Sequence, residues 1–185
     1  YDEVCGEIFM KQYGPRIINL IGSSAVNPDS KTEVLGTADK GIKVTLYKIN
    51  SLDKTNIELL NLYYFRTMHH EFAHILHQTK NYPTEFNEIS VDNYSPTGWM
   101  NRTNEQAHRM GFVSNYASSE AREDFVEVIA NFLTRTDADW NEILRQATFT
   151  DEEAKEELPD KQATGTGNGK TIILSKLKIA REWLK

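Results

Sequence analysis

The sequence has one cysteine among its 185 residues, Cys5, so no disulfide can form within it, and cysteine usage gives no reading of the redox compartment. Cys5 reads as a small buried side chain. A basic excess is also missing. The formal net charge of -6 and a sequence pI near 5.4 leave no broad positive surface to neutralise phosphates or dock on anionic lipid, which argues against nucleic acid as a partner. No apolar run approaches the roughly 20 residues that a membrane-spanning helix needs. The segment Tyr1 to Met10 has neither the basic start nor the apolar stretch of a secretory signal. The residues Tyr1-Asp2-Glu3-Val4 do not form the apolar approach that lipid attachment at Cys5 would require, so any signal or anchor is expected before Tyr1. No internal repeat is visible. Gly169-Lys170-Thr171 has the end of a phosphate-binding loop, but Thr164 stands where its first glycine is required and no strand leads into it; a flexible loop is expected instead.

What is present is the composition of a globular chain, 39% hydrophobic and 26% charged, and its length suits one domain over residues 1–185. A helix-like opening over about residues 2–12 ends at Gly14-Pro15. Ile17, Ile18, Leu20 and Ile21 then read as a buried strand, and Ile42, Val44 and Leu46 alternate with Lys43 and Thr45 as a half-buried one after the Asp39-Lys40-Gly41 turn. From Asn56 to Thr79 the spacing is helical, with Leu59, Leu62, Tyr63, Met68, Phe72, Ile75 and Leu76 on one broad apolar face. Asn81-Tyr82-Pro83 ends that helix, and an irregular stretch with short helices runs to about Gly111. A strand is expected at Phe112 to Tyr116. Ser118 and Ser119 are N-cap candidates for a second amphipathic helix carrying Phe125, Val128, Ile129, Phe132 and Leu133. A third helix covers Asp139 to Ala147. Residues Asp151 to Glu157 and Ala163 to Gly169 read as solvated connection, and Lys170 to Leu184 as a last helix.

The chemistry-bearing motif is His70-Glu71-Phe72-Ala73-His74, an H-E-x-x-H pattern inside the longest expected helix. Residues four apart lie on one helical face about 6 Å apart along the axis, so both imidazoles can converge on one metal ion. Glu71 then stands beside the metal, where its carboxylate can take a proton from a zinc-bound water whose pKa has fallen from 15.7 to about 7.

A third ligand must come from elsewhere. The position six residues after His74, where metzincin zinc proteases place a further histidine, is Lys80, which excludes that class. His77 shares the face of His70 and His74, but seven residues of rise put it about 10 Å from His70, so a packing or surface role is expected for it. His69 points to another face. On the second amphipathic helix Glu120, Glu123 and Glu127 line one side. Like charges four apart cost an isolated helix about 0.2–0.5 kcal/mol, a conflict that a nearby cation relieves. Glu123 is therefore assigned as the third ligand. Glu127 is assigned as the acceptor that orients a ligand histidine through its other nitrogen, with exchanged roles left open. Glu120 suits the first helical turn through the helix dipole alone.

The segments His69-His70-Glu71-Phe72-Ala73-His74-Ile75-Leu76-His77-Gln78, Gly111-Phe112-Val113-Ser114 and Glu123-Asp124-Phe125-Val126-Glu127 resemble the substrate import-associated zinc metallohydrolase lipoproteins, a family of gluzincin-type metallopeptidases. That resemblance implies export, an outer-membrane lipid anchor, and work beside an import lipoprotein and a TonB-dependent transporter. The stretch Tyr116 to Glu127 is also similar to the catalytic domain of lethal-factor-type proteases, in which a catalytic tyrosine precedes a glutamate ligand by seven residues, here Tyr116 and Glu123. The resemblance implies that Tyr116 donates to a reaction oxyanion; core packing is its alternative role. His108 is either a further proton donor or an exposed loop histidine. The segment Asn81 to Met110 matches no defined substrate pocket.

The expected architecture is α+β and zincin-like, with a small N-terminal sheet on the active-site helix and a mainly helical C-terminal part that brings Glu123 to the metal. The expected activity is zinc-dependent hydrolysis of an amide bond in a peptide or glycoprotein. A catalytically inactive, zinc-stabilised binding module of an outer-membrane nutrient-import system is the alternative. A metal-free helical scaffold is a third reading.

Overall fold

The computed structural model describes residues 5–6, 8–148 and 169–185. The acidic stretch 151–157 and residues 163–168 lie outside them, while Gly169 already begins a helix. The protein is α+β, with a small sheet and a mostly helical remainder. Two compact units are distinguished: the chain up to Tyr82 with Ile129–Thr134 and Leu184–Lys185, and Pro83–Val128 with Arg135–Trp183.

In the first unit, helix α1 (Phe9–Tyr13) stops at Gly14. Strands β1 (Ile17–Leu20), β4 (Gly36–Asp39) and β5 (Lys43–Leu46) form a sheet ordered β1-β5-β4, parallel between β1 and β5 and antiparallel between β4 and β5. Strands β2 (Ala25–Val26) and β3 (Glu33–Val34) pair separately. Helix packing on β4 and β5 buries the central strand, and Val44, Thr45 and Leu46 are all enclosed rather than alternating. Strand β1 corrects the sequence reading: Ile17, Ile18 and Leu20 are 51%, 52% and 58% exposed. The apolar run reflects the β propensity of branched side chains at a sheet edge, not enclosure on both faces.

The long helix begins where expected, with the Asn56 side chain accepting the Leu59 amide at 3.0 Å. It is not uniform. After α2 (Ile57–Leu59), residues Leu60–Phe65 form a π-helical segment that leads into α3 (Arg66–Thr79). One extra residue per turn rotates the helix beyond it by about 100°, so a single apolar face cannot run through the segment. Leu59 and Tyr63 are accordingly exposed, whereas Phe72, Ile75 and Leu76 enter the core.

In the second unit the irregular stretch contains α4 (Glu85–Ile89) and α5 (Asn104–Arg109), the latter opened by a Thr103–Gln106 capping box. The expected strand at Phe112 to Tyr116 does not form. Phe112 bonds its amide to the Ala107 carbonyl, Asn115 bonds its own to the Asn104 side chain, and Tyr116–Ser118 is a 3-10 turn, so the backbone satisfies itself locally. Helix α6 starts at Ala121 and runs to Thr134. Ser118 does not cap it; its hydroxyl donates to the Asn115 carbonyl at 2.6 Å. Helix α7 (Asp137–Gln146) carries a second capping box, Thr136 with Asp139, and α8 spans Gly169–Leu184. The core stacks Phe125 edge-on against Phe86 at 5.1 Å and against Trp183 at 5.2 Å. Among the described residues, no helix is long and apolar enough to cross a membrane.

Candidate metal centre

Helix α3 presents His70, Glu71 and His74 with His70 and Glu71 buried and His74 half-buried. The Nε2 atoms of His70 and His74 face each other at 3.2 Å, with the rings steeply inclined at 75°. Two nitrogens bound at 2.0–2.1 Å to one tetrahedral ion stand about 3.3 Å apart, so the pair already has the spacing of a zinc clasp.

The other nitrogen of His74 is also engaged. Its Nδ1 lies 2.9 Å from Nε2 of His77. Were Nε2 of His74 to bind a metal, Nδ1 would carry the proton and could donate it to His77. Tyr82 packs edge-on against His77 at 5.9 Å. His77 thus contacts the candidate ligand His74 as well as packing on Tyr82. The i, i+3 spacing from His74 was the available signal.

Glu123 and Asp124 are neighbours on α6 with opposite surroundings. Asp124 is fully buried; its carboxylate meets Lys176 of α8 at 2.7 Å and accepts the Tyr94 hydroxyl at 2.8 Å. Burial raises the Asp124 pKa, with the Lys176 ammonium opposing that shift, and burial lowers the pKa of Lys176. Lys176 donates to the Gly111 carbonyl at 2.8 Å and sits 4.0 Å from the centre of the Phe112 ring. Gly111 has φ +89°, and a β-carbon there would strike Ile172, so only glycine serves. This buried cluster fixes the rotation of α6. The sequence signal was a lysine on the apolar stripe formed by Ile173, Lys176, Ala180 and Trp183.

One donor atom from each of His70, His74 and Glu123 lies within 4.8 Å of the other two, so the three could hold a metal ion. Two imidazoles and a carboxylate suit zinc and leave a position for water or substrate. His69, His77, His108, Glu120 and Glu127 are outside that group. Glu127 is buried and accepts the Ser114 hydroxyl at 2.6 Å. Glu120 precedes α6 and reaches Arg122 at 3.9 Å. Tyr116 is 36% exposed and meets Trp99 edge-on at 4.9 Å.

His108 is not the exposed loop residue that was one expectation for it: it lies on α5 and is buried. Its Nδ1 pairs with Gln146 at 2.7 Å and its Nε2 with the Val113 carbonyl at 3.1 Å, and burial lowers its pKa. The expected loop at Gly169-Lys170-Thr171 is the first turn of α8. Gly169 lies against the His108 and Arg109 carbonyls, and the Lys170 amide bonds to the Ala147 carbonyl.

This α+β fold pairs an H-E-x-x-H helix with a third donor, Glu123, on α6, a set of residues that could hold a metal ion. The chain belongs to the family described as putative zinc-binding metallo-peptidase, which matches residues 1–185. It is similar to the crystal structure of a putative zinc-binding metallo-peptidase from Bacteroides caccae, with 42% identity and a TM-score of 0.73. The similarity covers 100% of this chain and 63% of that one. No curated protein matches the chain.

Proposed function

We propose that the protein is a zinc-dependent, zincin-like hydrolase of amide bonds in peptides or glycoproteins, with His70, His74 and Glu123 as ligands and Glu71 as general base. The observation that carries this reading is the 3.2 Å Nε2 pair of His70 and His74, in ligand spacing on the helix that also presents Glu71. A zinc ion in that clasp supplies an acidified water and an electrophile for the substrate carbonyl. The Glu71 carboxylate takes the water's proton and returns it to the departing amine, so its position decides turnover more than metal affinity. Tyr116 is exposed enough to donate a hydrogen bond to the oxyanion. His77 orients His74, and Glu127 is the acceptor for a ligand histidine, with Glu123 and Glu127 able to exchange roles. The resemblance further supports an exported, outer-membrane lipoprotein acting beside an import lipoprotein and a TonB-dependent transporter.

Zinc per chain, measured by elemental analysis on wild type, His74→Ala and Glu123→Ala, tests the ligand set. One zinc is expected in wild type and its loss in both variants; loss only with His74→Ala moves the third ligand to Glu127. Glu71→Gln should keep zinc and lose about 10²–10⁴-fold in turnover of a fluorogenic peptide library. Equal turnover in that variant removes Glu71 as base. Zinc without turnover in wild type favours the inactive, zinc-stabilised binding module.

A further inference from the structure

Glu71 is set in place by a residue with no side chain. Gly36 opens β4 and is paired with Leu46 of β5, and it is not among the glycines with positive φ. Its backbone would accept any residue, so the reason for glycine is spatial. A β-carbon at Gly36 would stand 2.7 Å from Cγ of Glu71, 2.8 Å from Cγ2 of Thr67 and 3.0 Å from Oε1 of Glu71. Carbon atoms attract best at about 3.5–4.0 Å, so these contacts are repulsive.

Relief is constrained on both sides. Strand β4 is held in register against the central strand from Gly36 to Asp39, and Leu35 before it accepts the Tyr47 amide at 3.0 Å. Thr67 is a β-branched residue whose hydroxyl donates to the Tyr63 carbonyl, at 2.6 Å, in the π-helical segment. Two of the three close atoms, Cγ and Oε1, belong to Glu71, so the added carbon bears mainly on that side chain. We propose that Gly36 is a positioning residue: the missing side chain on β4 is the space that sets the Glu71 carboxylate where it works as base. This rests on the reading of Glu71 as general base; the steric coupling of Gly36 with Glu71 does not.

The test is Gly36→Ala, made in wild type and in Glu71→Ala and Thr67→Ser backgrounds, with zinc content, thermal melts and kcat and KM on a library peptide that wild type cleaves. Gly36→Ala should keep one zinc per chain, hold KM within about threefold and lower kcat at least tenfold. Its fall in Tm should shrink by half or more once Glu71 is Ala, because Cγ and Oε1 are then gone. Wild-type kcat in Gly36→Ala overturns the proposal. So does an equal fall in Tm with and without the Glu71 side chain, or relief by Thr67→Ser alone, which would make Gly36 a packing residue for α3. A wild type that binds zinc and cleaves nothing defeats the functional reading, while the melts still decide whether Gly36 sets Glu71.

Discussion

Glu71 and Asp124 are both buried carboxylates, 8% and 0% exposed, one on a helix of each unit, and they have different neighbours. Asp124 is fixed by charge and hydrogen bonding, through Lys176 and Tyr94. Glu71 lies against a strand position that carries no side chain, Gly36. A carboxylate committed to a buried lysine is a strut; one placed beside an open strand position is sensitive to the volume there. Burial alone therefore does not distinguish these two carboxylates; what borders each of them does.

The contrast is broken most severely at Lys176. Lys176→Met keeps a long apolar stem but leaves Asp124 charged and enclosed without its cation, which should cost about 3–5 kcal/mol in urea unfolding of the metal-loaded protein. The companion Asp124→Asn/Lys176→Met should recover much of that loss, because no buried charge remains. If Lys176→Met costs under about 1 kcal/mol, the pair is not the strut described. The corresponding loss at Glu71 should appear in turnover and not in unfolding.

Sequence reading reached the parts governed by local rules. The H-E-x-x-H helix, its Asn56 start and the amphipathic helix carrying Glu123 each depend on spacing or capping within a few residues. It missed what side-chain pattern alone does not decide. Apolar content could not distinguish an edge strand from an enclosed one at Ile17 to Leu20. A regular 3.6-residue face was carried through Leu60–Phe65, where the helix adds a residue per turn. Phe112 to Tyr116 has strand-like side chains, but Asn104 and Ala107 claim its amides. Gly36 was passed over because a glycine in sequence announces freedom of φ, whereas here its value is volume, set by a helix 31 residues away.

A gentler disturbance falls on His77, which meets His74 through a hydrogen bond. His77→Leu removes the acceptor for Nδ1 of His74 while keeping apolar bulk beside Tyr82. Partners of ligand histidines are typically worth 10–100-fold in metal affinity, and a loss in that range is expected in competition with a chromophoric chelator. His77→Gln, which offers an amide oxygen, should recover part of it. Unchanged zinc affinity in His77→Leu would return His77 to the packing role that its spacing from His70 suggested.

The smallest effect is expected at a third kind of carboxylate, Glu142, held by charge on the exposed face of α7. Its pKa is lowered to about 2 by hydrogen bonds from Arg145 and Gln146. The folded pKa lies below the unfolded one, so the contribution is present above about pH 4.5 and is lost as pH falls toward 2. Solvent screening and the flexibility of an i, i+3 pair on α7 keep that contribution small. Glu142→Gln should therefore shift Tm by no more than about 1–2 °C at neutral pH, and the difference should close on acidification through that window. A shift as large as that of Lys176→Met would mean that exposure does not divide these carboxylates as the contrast requires. A small shift that persists unchanged to pH 2 would assign the effect to helix propensity rather than to the ion pair.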